Sequence, residues 1–556
     1  MFLSLLFMTG LSMQAMAQPE PDPLIFNNGA MFYINGGIND SAIVFVDGGV
    51  TNNDSIMVNL GKFIIMGDFV NNGECGGDDV FPLNIEPNDG LFEIHGDWEN
   101  NGIYRAGLGK VKFMTTDSIQ GTVPTRFHDV DLIGDIRRIQ ENVNAEIDAT
   151  GTLKLNRGEW ATDFDTLWVF NTSTGAIQRD ASCDTCGFVS SLQDGNLARA
   201  VEQNASYRFP VGSALNISPN QIKRYRPVTI KPETADPDWF HVRFVNRNAT
   251  INGLPVTDVD TTICYANPWW YHRINKTGSG VSNADIALYA NASEGDADYN
   301  TIANWSTPNA LWENMDNTAA SPVGGLNQVV RYSWDDWQVY QDDAYIMAFN
   351  VPSEPPVEGD TALCASIAET YTVPDNGSDY DFVVTGGTVV DQTPTSVTVI
   401  WNNDSLGAVF GNVQVIETVP NSINGGCTSL TRNYTVEVWP LPVADFTVSV
   451  DSTLPGGIFE YDIIEFLDNS ILTSEWNWDF GDGNTSNDSL PFHTYDEIGN
   501  YEVTLIVRSG LECLDTLVIP INVVEGLIVP NVFTPNNDGW NDVFDVRTSD
   551  VGPFNL

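Results

Sequence analysis

One pattern recurs through residues 26–125: a short apolar strand, a glycine turn, one more apolar residue and an asparagine pair. It runs from Phe32 as FYINGGIN, from Val44 as VFVDGGVTNN, from Phe63 as FIIMGDFVNNG and from Phe92 as FEIHGDWENNG. Glycine and asparagine enter the left-handed backbone region at little cost, so a chain carrying them after every strand turns a corner each time. The corner glycines Gly36, Gly48, Gly67 and Gly96 are unevenly spaced. A β-solenoid with loops of varying length accommodates that spacing, and a meander of hairpins is the alternative. Strand-and-turn patterning continues at 111–113, 130–133, 145–147, 153–155 and 167–170, with no amphipathic helical period anywhere. We therefore expect an all-β chain with a solenoid-like region over residues 18–187.

Further on, Trp and Tyr become frequent, and the alternating segments 225–230, 240–244 and 345–349 predict an antiparallel β-sandwich over 188–350. Residues 351–359, VPSEPPVEG, form a stiff, proline-rich linker. Strand signals between 360 and 439, with Gly386-Gly387 and Asn402-Asn403-Asp404 as turns, predict an immunoglobulin-like sandwich; Cys364 and Cys427 lie near its two ends and are the expected disulfide. Residues 440–525 carry Trp478, Asp479, Phe480, Gly481, Asp482 and Gly483. Trp478 and Phe480 alternate into a core while Gly481-Asp482-Gly483 turns tightly. Followed by His493, Tyr495, Gly499, Tyr501, Val503 and Leu505, this string resembles the PKD-domain signature, W-D-F-G-D-G then H-x-Y-x-x-x-G-x-Y-x-V-x-L, at every fixed position. The resemblance implies an extracellular spacer or adhesion module. Tyr207-Arg-Phe-Pro-Val-Gly212 resembles a string common in large Bacteroidetes surface proteins.

The 556 residues carry 24 Lys+Arg against 74 Asp+Glu, a net charge of −50, which repels nucleic acid and anionic membrane. At 42% hydrophobic residues the chain is nonetheless a folding one. Residues 1–17 read as a signal peptide ending at Ala15-Met16-Ala17; its missing basic start predicts truncation there. No later run is long enough to span a membrane as a helix. At the other end, Pro530, Asn531, Phe533, Thr534, Pro535, Asn536, Asp538, Gly539, Asn541 and Asp542 match the opening P-N-x-F-T-P-N-x-D-G-x-N-D of the gliding-motility-associated, type B C-terminal sorting domain. Residues 526–556 are thus identified as the start of such a domain, cut short at Leu556. The resemblance implies type IX secretion machinery as a partner and delivery to the cell surface, outside a Gram-negative outer membrane, or to the medium. Asp-Ser/Thr-apolar strings, among them Ser55 and Ser118, resemble Bacteroidetes O-glycosylation sites.

Seven cysteines suit an oxidising compartment. Cys183 and Cys186 have the spacing of a redox or zinc half-site; without a second pair nearby, a local disulfide is the expectation. The five histidines are scattered, and no G-x-S-x-G elbow or Walker loop occurs. Asp68 and Asp97 share one repeat position: a facing carboxylate pair would suit polysaccharide cleavage, whereas corner positions facing water suit folding alone. Trp269-Trp270-Tyr271 and Trp334-Asp-Asp-Trp337 would stack sugars or fill a core. No cofactor is required; calcium has candidate sites at Gly481-Asp482-Gly483 and Asn536-Asn537-Asp538-Gly539, but turns use the same residues and the turn reading is favoured. The expectation is a non-catalytic structural or adhesive surface protein, with extracellular polysaccharide or surface proteins as partners. A polysaccharide-binding or polysaccharide-cleaving function of residues 26–350 is the alternative.

Overall fold

The computed structural model describes residues 25–526, apart from 30, 36–41, 77–89, 181, 184–185, 203, 214–222, 236, 279–282, 292–298, 324–325, 338–343, 421–425, 451–456 and 512. The expected signal peptide and sorting-domain string lie outside the described residues. Among those described, everything regular is β-strand except the 3-10 turn Ala249–Asn252. The described residues divide into two compact units, 25–351 and 352–526.

In the first unit the chain winds as a parallel β-solenoid with three strands per coil, each strand pairing with its counterpart one coil on. One face stacks Val50–Asn52, Phe69–Asn71 and Trp98–Asn100 in register. A second stacks Ile43–Val46, Lys62–Ile65, Leu91–Ile94, Lys110–Phe113, Asp129–Leu132 and Leu153–Asn156. The corner glycines are steric requirements: a Cβ on Gly96 would stand 2.4 Å from the Gly67 carbonyl carbon. The first echo is out of phase. Phe32 pairs with Ile56 on the third face, whereas Val44, Phe63 and Phe92 pair with one another. Two faces of a coil use the same strand-then-glycine grammar, so the string alone does not say which face it is on. Parallel pairing continues past residue 187, through Phe188–Ser191 to Asn196–Val201. That last strand then pairs antiparallel with Asp238–Val245, so one sheet passes from solenoid into sandwich without an edge. The opposing sheet of the sandwich contains Val228–Pro232, Ala284–Ala290 and Leu326–Trp334.

In the second unit two sandwiches follow one another. The immunoglobulin-like one buries Tyr371, Val399, Trp401, Val413 and Val436 between its sheets; the next buries Phe446, Phe466, Trp478, Phe480, Tyr495 and Leu505. Cys364 bonds to Cys513, with Cα atoms 5.5 Å apart, and not to Cys427 as its place in the sequence predicts. The reason is topological. Ala362–Cys364 pairs parallel with the last strand of its sandwich, Arg432–Trp439, and the chain leaves that strand into the next domain. Cys364 therefore lies at the junction, where the Cys513–Val524 strand begins. At the same joint the Ser509 hydroxyl donates to the Pro440 carbonyl, and a Cβ on Gly510 would strike the Trp439 ring.

Candidate functional site

The repeated asparagines are the solenoid's internal fastening. Asn27, Asn52, Asn71 and Asn100 stack inside successive coils, the first three each donating a side-chain amide to the next carboxamide oxygen at 2.8–2.9 Å. The same amides donate to the carbonyls of Ser55, Glu74 and Ile103, at 3.0, 3.0 and 3.1 Å. Buried polar groups must be paired, and here each rung pairs the one before it. The second asparagine of each pair builds an exposed ladder, Asn53, Asn72 and Asn101.

Asp68 and Asp97 do not face each other across a cleft. The Asp68 carboxylate accepts the Asp97 amide at 2.7 Å, and Asp97 accepts the Ser118 amide at 2.6 Å and its hydroxyl at 2.8 Å. Each caps the corner of the following coil. Beneath them Arg138 is fully buried, donating to the Gly96 and Ser118 carbonyls with its guanidinium 4.2 Å from the Phe113 ring centre. Burial lowers its pKa to about 10, opposed by Asp117, Asp97 and Asp68, so it stays charged at neutral pH. Ser118, 8% exposed and bonded to Asp97, is closed to glycosylation in the folded chain.

The aromatic strings divide between core and surface. Trp270 and Tyr271 are fully buried, Trp334 is 9% exposed, and Trp337 packs edge-on against Phe240. Trp269 alone of these is open, at 41%. His272 is wholly buried between the Phe244 and Trp270 rings, with Nε2 2.8 Å from the Arg226 carbonyl. Burial first, and the Arg226 charge with it, pull its pKa down to about 4 against the hydrogen bond, so it is neutral at physiological pH. No signal in the sequence separates this histidine from an exposed one.

Cys183 and Cys186 form a disulfide, and Arg179 donates to both their carbonyls. In the other signature, Asp479 accepts the Gly481 amide at 2.9 Å. Asp482 accepts the Asn484 amide and side chain, both at 3.0 Å, and lies 2.8 Å from His493 Nε2. Partial burial opposes ionisation of Asp482, yet these hydrogen bonds and His493 hold its carboxyl below the usual range. Both its oxygens are committed to the turn, which disfavours the calcium reading there. The Phe480 ring stacks on His493 at 4.2 Å, and the Tyr495 hydroxyl donates to the Phe480 carbonyl. The signature thus encodes one interlocked corner of a sandwich. Among the described residues no cluster of three or more His, Cys, Asp or Glu could hold a metal, and no helix is long and apolar enough to cross a membrane.

Comparison with known proteins gives one local relative, two distant structural neighbours and one family match. A collagenase, ColA of Clostridium perfringens, is 38% identical over 80 residues, 14% of this chain; the chain spans only 7% of the collagenase's length. Among solved structures, an amphioxus IgVJ-C2 molecule aligns with 29% of this chain and 99% of its own at 14% identity and a TM-score of 0.18. The ICAM-5 D1–D4 ectodomain aligns with 59% and 78% at 8% identity and a TM-score of 0.22. Scores that low add nothing to the fold, which rests on the strand pairing above. The family match is specific: residues 439–522 fit the PKD domain.

Proposed function

We propose that this is an exported modular protein that acts outside the cell as a structural or adhesive element, with the solenoid as its patterned surface and the sandwich pair as a stiff stalk. The observation that carries the reading is the joint between the two sandwiches, where the Cys364–Cys513 bond ties the first strand of one domain to the last of the next. Such a bond forms in an oxidising compartment and holds two domains in a fixed relation, which suits a spacer under load. The committed hydrogen bonds of Asp68 and Asp97 remove the strongest carboxylate pair for a polysaccharide-cleaving reading. What the collagenase digests is a property of that protein. Delivery by a type IX system rests on the 530–542 string.

The test is protease shaving and antibody labelling of intact cells of the source bacterium, with and without functional type IX machinery. The expected result is surface labelling that disappears when the machinery is disabled. Labelling only after lysis, with the machinery intact, refutes the export reading. Release of reducing ends from polysaccharide by the purified chain refutes the non-catalytic one.

A further inference from the structure

The sheet that passes from solenoid into sandwich buries one face, and its outward face gathers aromatic rings at one place. Strand Thr166–Val169 and the residue after it turn Leu167 and Val169 inward and Trp168 and Phe170 outward. Two strands on, Asp238–Val245 buries Phe240 and Val242 and turns Trp239 and His241 outward. The strand between them puts Ala198 opposite both Trp168 and His241, and Ala200 opposite Trp239. Over these small residues the rings meet edge-on, the Trp239 ring centre 5.1 Å from Trp168 and 4.9 Å from Phe170. Such contacts hold the rings in place, yet both indoles remain half-buried rather than covered. Neither indole N–H has a partner among the described residues, and neither is closed off from solvent. Beside them His241 bonds Asn196 through Nδ1 at 3.1 Å and Thr277 through Nε2 at 2.9 Å. Burial lowers the His241 pKa, so the ring is neutral at physiological pH. The Asn196 oxygen takes the Nδ1 bond, which leaves the Asn196 amide N–H group as a third open donor. On the other side of Trp168, directly opposite it, Glu146 gives one carboxylate oxygen to Arg126 at 2.6 Å and has the other open as an acceptor.

A ligand suited to this patch is uncharged, apolar on its flat faces, and both accepts and donates hydrogen bonds at its edges. Pyranose rings with equatorial hydroxyls have that form, with C–H groups on each face and hydroxyls around the rim. We propose that this outward sheet face binds a neutral polysaccharide of β-1,4-linked pyranoses, packed on Trp168 and Trp239 with its hydroxyls on Asn196 and Glu146. A neutral polymer also escapes the repulsion that a chain at −50 exerts on polyanions. A proline-rich peptide would pack on the indoles and accept from the open N–H groups, but its prolines have no donor for Glu146. The proposal rests on the extracellular, adhesive reading above and names what that surface holds.

The test measures affinity of the full chain for immobilised β-1,4-glucan, β-1,4-mannan and β-1,4-xylan, with polyproline and polygalacturonate as comparisons and the melting temperature of each variant. Expected is binding to at least one of the three neutral polymers, none to polygalacturonate and markedly weaker binding to polyproline. Added salt should leave the affinity nearly unchanged, because no ion pair forms with the ligand. Trp168→Leu and Trp239→Leu should each weaken binding about tenfold. Glu146→Ala, which loses only a surface ion pair, should weaken it about threefold at an unchanged melting temperature. Trp269→Leu, at the open tryptophan outside the patch, should leave binding as it was. Absence of binding to all three neutral polymers, equal binding to polyproline, loss of binding in salt, or indifference to the tryptophan and Glu146 variants overturns the proposal. If cells display the chain on their surface while the polymer assay is silent, this inference fails and the reading it rests on stands.

Discussion

The solenoid and the PKD domain solve the same problem, burying a β-sheet's face, with different currencies. In the PKD domain the fastening is aromatic: Trp478 is fully buried, 5.0 Å from the Phe446 ring and 5.5 Å from Phe466. In the solenoid, apolar side chains fill the coil, and a continuous line of buried carboxamides runs through it as well. The aromatic core is a single long-range cluster, so its loss is felt by the whole domain. The asparagine line is modular. Each rung depends on its two neighbours, and damage should spread along the coil axis.

The largest effect should therefore fall in the sandwich. Trp478→Ala removes a fully buried ring and its indole bond to the Asp488 carbonyl, and should cost about 3–5 kcal/mol by denaturant unfolding of the second unit. A smaller loss leaves the aromatic cluster less central than drawn here. Next comes a pH effect in the first unit. The folded pKa of His272 is about 4, below the unfolded value, so between about pH 6.5 and 4 only the unfolded chain takes up the proton. Stability from this group is complete above about pH 6.5 and is lost as pH falls to about 4, by up to about 3 kcal/mol. Thermal unfolding of the wild type and of His272→Gln across that range should show the difference, and parallel pH profiles would contradict the burial argument. Asn71→Ala should cost about 2–3 kcal/mol, because it strips Asn52 of its acceptor and leaves Asn100 without its donor. Its amide-exchange footprint should centre on the neighbouring coils. The smallest effect is the sharpest control. Asn101→Ala, on the exposed ladder one residue from the buried one, should change stability by less than about 0.5 kcal/mol. Equal losses at 71 and 101 would mean that burial does not decide what a carboxamide ladder contributes.

Much of the solenoid was legible because its physics is local and repeated. Gly67 and Gly96 allow coils to stack closely, and the Asn pairs that follow are the ladder itself. The phase was not legible: FYINGGIN and VFVDGGV look alike but occupy different faces, since a strand followed by glycine is shared grammar. Asp68 and Asp97 were readable as equivalent, but their capping bonds depend on how one coil sits over the next. His272 and Arg138 had no signature, because burial of a polar group is a property of its neighbours in space.

Composition and spacing by themselves determined an all-β, strongly acidic, repeat-bearing chain and the PKD corner, since alternation, turn residues and net charge are carried by short stretches. The tertiary structure alone decided that Cys364 meets Cys513, that two of the three aromatics at Trp269-Trp270-Tyr271 are core, and that four of seven lysines share one face. Each of these depends on which distant strands are neighbours, and strand pairing is set by the burial of the whole sheet rather than by any stretch within it.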